Sequence, residues 1–75
     1  MPDNAAARLA LAEHLATEQA WTAAAEQASL AVGCDPGLAR AHELLVRAYL
    51  AEGRATKADE ALDEALLRFP AELLF

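Results

Sequence analysis

Isoleucine is absent from this sequence of 75 residues, cysteine occurs once, and aromatic residues make up only 5%. Alanine and leucine take their place and are the two most frequent residue types. Strands favour β-branched and aromatic side chains, whereas alanine and leucine lose little rotamer freedom in a helix. The composition therefore predicts an all-α fold.

Basic residues are also scarce, since six Lys and Arg stand against twelve Asp and Glu and the formal net charge is −6. Proteins that bind nucleic acid need clustered Lys and Arg to displace counterions from the phosphates. We therefore expect no nucleic-acid partner. The acidic surface is interpreted as one that maintains solubility, with steering toward a basic partner as the alternative.

Long apolar runs are missing too, and none approaches the roughly 18 residues that span a membrane. The N-terminal residues lack the basic and apolar segments of a signal peptide. The single cysteine, Cys34, has no second cysteine in the sequence with which to form a disulfide. We therefore expect a cytoplasmic protein without a membrane partner, and the preference for Arg over Lys in an Ala-rich chain suggests a bacterial source.

The length and composition predict one small folded domain. With 56% hydrophobic and 24% charged residues, the chain lies far from the composition of disordered proteins. A chain this short buries only about 60% of its extended-chain surface. One core is therefore the most that it can form.

The first hairpin of two helices is predicted from apolar periodicity and capping residues. A first helix over 5–17 follows Asp3 or Asn4, either of which can cap it by accepting hydrogen bonds from free N–H groups. A second helix over about 21–32 is expected to end at Gly33 in a left-handed conformation.

The second hairpin repeats this layout. A third helix over 38–52 ends at Gly53, and a fourth begins near Thr56 and stops before Pro70. Thr56 is followed three residues later by Asp59, which matches the capping-box pattern at a helix start.

A shift of the sequence against itself by about 34 residues aligns the two hairpins. Ten of the 41 compared pairs are identical, and all three prolines fall into register. Because matches between alanines are common in so Ala-rich a chain, the proline and threonine pairs carry the weight. The identical pairs are Pro2–Pro36, Ala5–Ala39, Ala7–Ala41, Leu11–Leu45, Glu18–Glu52, Thr22–Thr56, Ala24–Ala58, Glu26–Glu60, Ala31–Ala65 and Pro36–Pro70.

Eight residues of the second hairpin have the spacing of a known repeat unit: Leu45, Tyr49, Gly53, Ala58, Leu62, Ala65, Leu66 and Pro70. This pattern resembles the tetratricopeptide repeat (TPR) family, whose unit is a helix-turn-helix of about 34 residues. The resemblance implies two units, at about 5–36 and 39–70, that form a short right-handed solenoid of four antiparallel helices. The segment 71–75 is then the start of a third or capping helix.

The chain departs from the family pattern at four positions. Val46 stands where the family usually has Gly or Ala, and Gln19 replaces the turn glycine of the first unit. Arg8 and His42 occupy the usual tryptophan places.

The resemblance also implies a function, since TPR proteins bind peptides or protein segments in a concave groove lined by the first helix of each unit. This chain is then a protein-interaction module, an adaptor or small chaperone, and not an enzyme. Leu9 and Glu13 occupy the places of the family's carboxylate clamp, so an amphipathic helix or extended apolar segment is expected instead. The predicted partner-binding residues are Leu9, Glu13, Arg40, Glu43, Leu44, Arg47 and Leu50, beside Ala6, Ala10 and Thr17.

A second hypothesis stays open beside groove binding. Solenoid units bury their core against neighbours, and two units leave their ends uncovered. Leu73, Leu74 and Phe75 would add exposed apolar surface, which commonly marks an interface. The alternative function is therefore a structural or oligomerisation module that self-associates through its ends or is completed by a partner.

Residue patterns for metal binding and cofactors are weak, and none is predicted. His14, His42 and Cys34 lack paired ligand spacing, and His42-Glu43 lacks the second histidine of a zinc-protease motif. A four-helix bundle that holds a cofactor would need inward-facing Glu-x-x-His ligands, and the sequence contains no such motif.

Other reactive or bulky residues also favour structural interpretations. Cys34, in a predicted turn over 34–37, is interpreted as passive and not as an activated thiol. The acidic residues of the fourth helix are interpreted as a solvated face and not as an acid–base pair. Trp21 is expected to pack at the turn between helices, with a hot-spot role in partner binding as the alternative.

Overall fold

The computed structural model describes residues 4–69 and contains four α-helices and no strand within that range. The helices are α1 (Ala5–Thr17), α2 (Trp21–Cys34), α3 (Ala39–Ala51) and α4 (Ala55–Arg68). The predicted all-α class is confirmed. The predictions that concern Pro2, Pro70 and the segment 71–75, with Leu73, Leu74 and Phe75, lie outside the described residues.

The four helices form an open array in chain order. Each helix packs on the next one, and α1 also contacts α3. Between residues 4 and 69, no Cα atom of α4 lies within 8 Å of a Cα atom of α1 or α2. In an up-down four-helix bundle the first and last helices are neighbours around one core, so this arrangement is not a closed bundle.

Alanine side chains form the centre of the core, where α2 lies between α1 and α3. Ala24, Ala28 and Ala31 are 0% exposed, and Ala25 is 4% exposed. Because the distance between packed helices depends on the side chains at the contact, methyl groups allow the closest approach. The cluster that joins the three helices consists of Ala12, Ala24, Ala25, Ala28, Leu44, Leu45 and Ala48, and we call it the alanine cluster.

The α1–α2 and α3–α4 turns have the same backbone conformation at aligned positions of the two hairpins. Gln19 has a φ of 62° and Gly53 a φ of 77°. In both turns the next residue donates its N–H to the carbonyl five residues earlier, over 2.9 Å. Both turns lie where they were predicted, and Gln19 adopts a left-handed conformation that glycine adopts more readily.

The start of α1 also agrees with the prediction. Asn4 is its N-cap, and its side-chain oxygen accepts a hydrogen bond from the N–H of Ala7 at 3.2 Å. This bond satisfies one of the N–H groups that a helix start leaves unpaired.

The predicted end of α2 at Gly33 is wrong, because the helix continues to Cys34 and Gly33 has no positive φ. The chain leaves the helix at Asp35, which is extended and whose carboxylate accepts the N–H of Gly37 at 2.9 Å. Pro36 supplies no N–H and cannot continue the helix. Cys34 is therefore the exposed last residue of α2 and not part of the turn.

The capping box predicted at Thr56 is wrong as well. Helix α4 begins at Ala55, its N-cap is Arg54, and no side chain caps it. Because the chain reverses at Gly53, the carbonyl of Arg54 already accepts the N–H of Ala58 at 2.9 Å. Thr56 is consequently the second residue of the helix.

His42 and Arg8, at the places where the resemblance implies tryptophan, make polar contacts. His42 is 2% exposed, and its Nε2 lies 2.9 Å from the carbonyl oxygen of Pro36, to which it donates. Its ring meets that of Phe69 edge-on, with centroids 5.5 Å apart. Arg8 donates from Nη1 to Oε1 of Gln27 at 3.1 Å, which links α1 to α2.

We predict that replacing Gly53 and Gly33 with alanine has opposite effects on stability. An added Cβ meets nothing within 4 Å at Gly53 or at Gly33. Gly53→Ala should lower the free energy of unfolding by about 1 kcal/mol, because alanine is strained at a φ of 77°. Gly33→Ala should raise it by about 0.5 kcal/mol, because Gly33 is helical in the last turn of α2 and alanine narrows the unfolded ensemble. Chemical denaturation monitored by circular dichroism checks both, and two changes of the same sign would contradict the assigned turn geometry.

Candidate binding surface

Helices α1 and α3 share a surface beside the start of α2, where a hollow of about 350 Å³ opens. Five residues predicted to bind a partner line this hollow, and we call it the α1–α3 hollow. Leu44 is 2% exposed and lies at its floor. The complete lining is Glu13, Ala16, Thr17, Trp21, Arg40, Leu44 and Arg47.

Arg40 joins the two helices at the rim of this hollow. Its Nε donates to Oε2 of Glu13 at 2.8 Å, and its Nη1 donates to Oε1 of Glu43 at 2.7 Å. The hydrogen bond to Glu13 is the main reason that the pKa of Arg40 lies above its ordinary value. Because the Arg40 side chain is 52% exposed, the network adds little stability and leaves charge exposed to solvent at the rim of the hollow.

Arg47 is the second guanidinium of this surface. It is exposed, and it makes no hydrogen bond or ion pair with any residue of the range 4–69. It lines the α1–α3 hollow and also an adjoining hollow of about 310 Å³ between α3 and α4. A guanidinium in this state is free to contact a carboxylate or a carbonyl group of another molecule.

The adjoining hollow, which we call the α3–α4 hollow, is largely apolar. Its lining residues are Glu43, Val46, Arg47, Leu50 and Leu62. Two more residues of the predicted set, Glu43 and Leu50, therefore lie here, and Leu50 is 59% exposed. Leu9 lines neither hollow and packs, partly buried, against the alanine cluster.

Trp21 combines a core contact with a place on the candidate surface, and its hot-spot role in partner binding stays a prediction. It packs against the alanine cluster, as the structural interpretation expected. It also forms part of the wall of the α1–α3 hollow, so an occupant of the hollow would contact its ring.

A contact that the sequence reasoning missed connects α2 to α3. The hydroxyl of Thr22 donates to Oε2 of Glu52 at 2.6 Å. The Glu52 side chain is only 10% exposed, and its Oε1, which has no hydrogen-bond partner within the described residues, lies 3.7 Å from Nε of Arg54. The only sequence signal for this contact was the recurrence of Thr and Glu in the shifted alignment.

The remaining candidates do not converge on a site. The acidic residues of α4 are all exposed, in agreement with a solvated face: Asp59, Glu60, Asp63 and Glu64. Over residues 4–69, no three His, Cys, Asp or Glu side chains lie close enough together to hold a metal ion. None of the four described helices is long and apolar enough to span a membrane.

Comparison with known proteins adds no relative. No protein-family model matches this chain, and neither a curated protein nor a solved structure matches it. The resemblance to the TPR family therefore stays a prediction from the spacing of residues.

The Arg40 network predicts a small and salt-sensitive contribution to stability. Arg40→Ala should lower the free energy of unfolding by about 0.5–1 kcal/mol at low ionic strength, and by less in about 1 M salt. Arg68→Ala is the matched control, because among residues 4–69 the Nε of Arg68 pairs only with Glu64, at 4.0 Å. Urea denaturation at two salt concentrations measures both, and an Arg40 effect independent of salt would contradict the electrostatic assignment.

The Thr22–Glu52 contact predicts a larger effect at Thr22 than at its counterpart Thr56. Thr22→Val should lower the free energy of unfolding by about 1 kcal/mol, because the largely buried carboxylate of Glu52 then loses the hydrogen bond that Thr22 donates. Thr56→Val makes the same change at the aligned position, where the hydroxyl makes no hydrogen bond within residues 4–69, and should alter stability by less than about 0.5 kcal/mol. Equal losses for the two variants in dilute thermal or urea unfolding would show that the contact contributes nothing.

Proposed function

We propose that this chain is a two-unit helical repeat module of the TPR type that binds a segment of another protein along α1 and α3. The observation that carries the proposal is the α1–α3 hollow, in which Glu13 of α1 meets Arg40, Leu44 and Arg47 of α3. In this proposal the module is an adaptor or small chaperone, has no catalytic role and requires no cofactor.

The recurrence of geometry between the two aligned hairpins supports the two-unit interpretation. Helices α1 and α3 have 13 residues each, and α2 and α4 have 14 each. Besides the two matching turns, the caps that end α2 and α4 agree, since Asp35 and Phe69 each donate N–H to an alanine carbonyl four residues earlier. An open array of helices also leaves one face of α1 and α3 for a ligand, as solenoid binding requires.

The chemistry of the surface defines the kind of segment that it fits. The α1–α3 hollow has room for an apolar side chain above Leu44 and beside the ring of Trp21. Leu50 continues the apolar surface into the α3–α4 hollow, and Arg47 lies between the two hollows. The segment therefore combines apolar residues spaced along one face with an acidic group, as amphipathic helices in grooves do.

A cytoplasmic and bacterial setting belongs to the same proposal. Its supports are the single free cysteine, Cys34, which suits a reducing compartment, and the Arg-rich, Ala-rich composition.

Selection from a random peptide library displayed on phage, against the immobilised protein, tests this function. We expect enrichment of peptides that carry apolar residues and at least one carboxylate. Fluorescence anisotropy then compares a selected peptide on the wild type and on Arg47→Glu. Binding should weaken by at least about tenfold in the variant, because the charge that faces the peptide carboxylate is reversed.

Lys57→Glu is the matched control, since it makes the same change of charge at an exposed position of α4 that lines neither hollow. The affinity of the Lys57→Glu variant for the selected peptide should stay within about twofold of the wild-type value. Absence of enrichment over an empty surface, or equal loss of binding in both variants, would contradict the proposed function.

A further inference from the structure

Among residues 4–69, the α3–α4 hollow is the open counterpart of a surface that α3 covers. Leu9, Ala12, Ala16 and Ala28 belong to the alanine cluster or pack against it, beneath the α3 residues Leu44, Leu45 and Ala48. Their four counterparts in the shifted alignment all line the hollow: Glu43, Val46, Leu50 and Leu62. The fifth lining residue, Arg47, is the counterpart of Glu13, which binds Arg40 of α3.

At the other end of the array, α1 presents the counterpart of the α3 face that does the covering. The residues of the first hairpin that align with Leu44, Leu45 and Ala48 are Ala10, Leu11 and His14 of α1. All three are exposed, and Leu11 is 45% exposed. The α4 end of the array therefore presents a hollow. The α1 end presents a helix face equivalent to the α3 face that covers the matching surface inside the chain.

The polar contact beside this packing also has both of its counterparts at the open ends. Thr22, exposed at the edge of this packing, donates to Glu52, the C-cap of α3, at 2.6 Å. The counterpart of Thr22 is Thr56 at the start of α4, and the counterpart of Glu52 is Glu18 at the end of α1. Thr56 and Glu18 are both exposed, so the same hydrogen bond is available between two copies.

We propose that the α3–α4 hollow is a docking site for α1 of a second copy of this chain. Leu11 of that copy packs beside Leu62, and its Glu18 accepts a hydrogen bond from Thr56. The contact is head-to-tail, so a dimer keeps one free hollow and one free face, and further copies can add. The docking site shares Arg47 and Leu50 with the proposed peptide-binding surface. Self-association is measured without any peptide, so the docking proposal can fail while peptide binding succeeds, and the reverse.

The proposed interface between two copies is more polar than the packing of α3 within one chain. Asp59 stands where the covered surface has Ala25, and His14 stands where α3 has Ala48. Charged and polar groups at the centre of an interface must be desolvated. The association is therefore weaker than the internal packing and depends on protein concentration.

Sedimentation velocity of paired variants tests the direction of docking, with Cys34→Ser in every protein to prevent disulfides between exposed thiols. Leu11→Glu blocks the docking face and Leu62→Glu blocks the hollow. Wild type should show a mass that rises above the monomer value of 8.0 kDa with concentration, and each variant alone should stay monomeric. An equimolar mixture of the two should restore a dimer, because each variant keeps the surface that the other lacks.

Leu30→Glu is the control for a new charge at an exposed leucine, since Leu30 is 43% exposed and lies on neither surface. It should associate as wild type does. Thr56→Val should weaken the association at least about twofold through loss of the hydrogen bond. Circular dichroism verifies folding, and Thr56→Arg replaces Leu62→Glu if that variant loses helicity.

Three results would overturn the proposal. The first is a wild type that stays monomeric up to about 1 mM. That result is expected if the natural occupant of the hollow is another segment of the same chain or a different protein. The second is a mixture of Leu11→Glu and Leu62→Glu that forms no dimer. The third is a Leu30→Glu variant that loses association as the two interface variants do.

Discussion

The close packing of α2 between α1 and α3 is the constraint on which the rest of the molecule depends. Ala24, Ala25 and Ala28 present only methyl groups to their neighbours, and each is almost completely buried. This thin layer brings α1 near enough to α3 for Arg40 to reach Glu13 at 2.8 Å. The same order of packing keeps α4 away from α1, so the four described helices form an open array in which no residue of the range 4–69 closes the α3–α4 hollow.

The sequence predicted the helices well where short-range chemistry determines them. Asn4 caps α1 and Gly53 ends α3 because each acts on backbone groups a few residues away. The end of α2 was missed, since the Asp35 carboxylate and Pro36 determine it and not Gly33. Thr56 was misread as a cap because the tight turn at Gly53 starts α4 one residue earlier.

The candidate surface could be predicted only in part, because helical periodicity assigns residues to faces but does not give depth. Glu13, Arg40 and Arg47 do line one hollow, as their faces implied. Leu44 proved almost fully buried, since its exposure depends on how closely α1 approaches α3. The bond from Thr22 to Glu52 was missed because it joins residues 30 positions apart and depends on the packing of α2 against α3.

Methyl-resolved nuclear Overhauser spectroscopy of dilute, monomeric protein tests the central claim, which is that the helices form an open array around the alanines of α2. The account predicts cross-peaks that connect the Ala28 methyl group to side chains of both α1 and α3. It also predicts no cross-peak between any side chain of α1 and any side chain of α4. Cross-peaks between α1 and α4, as in a closed four-helix bundle, would contradict it.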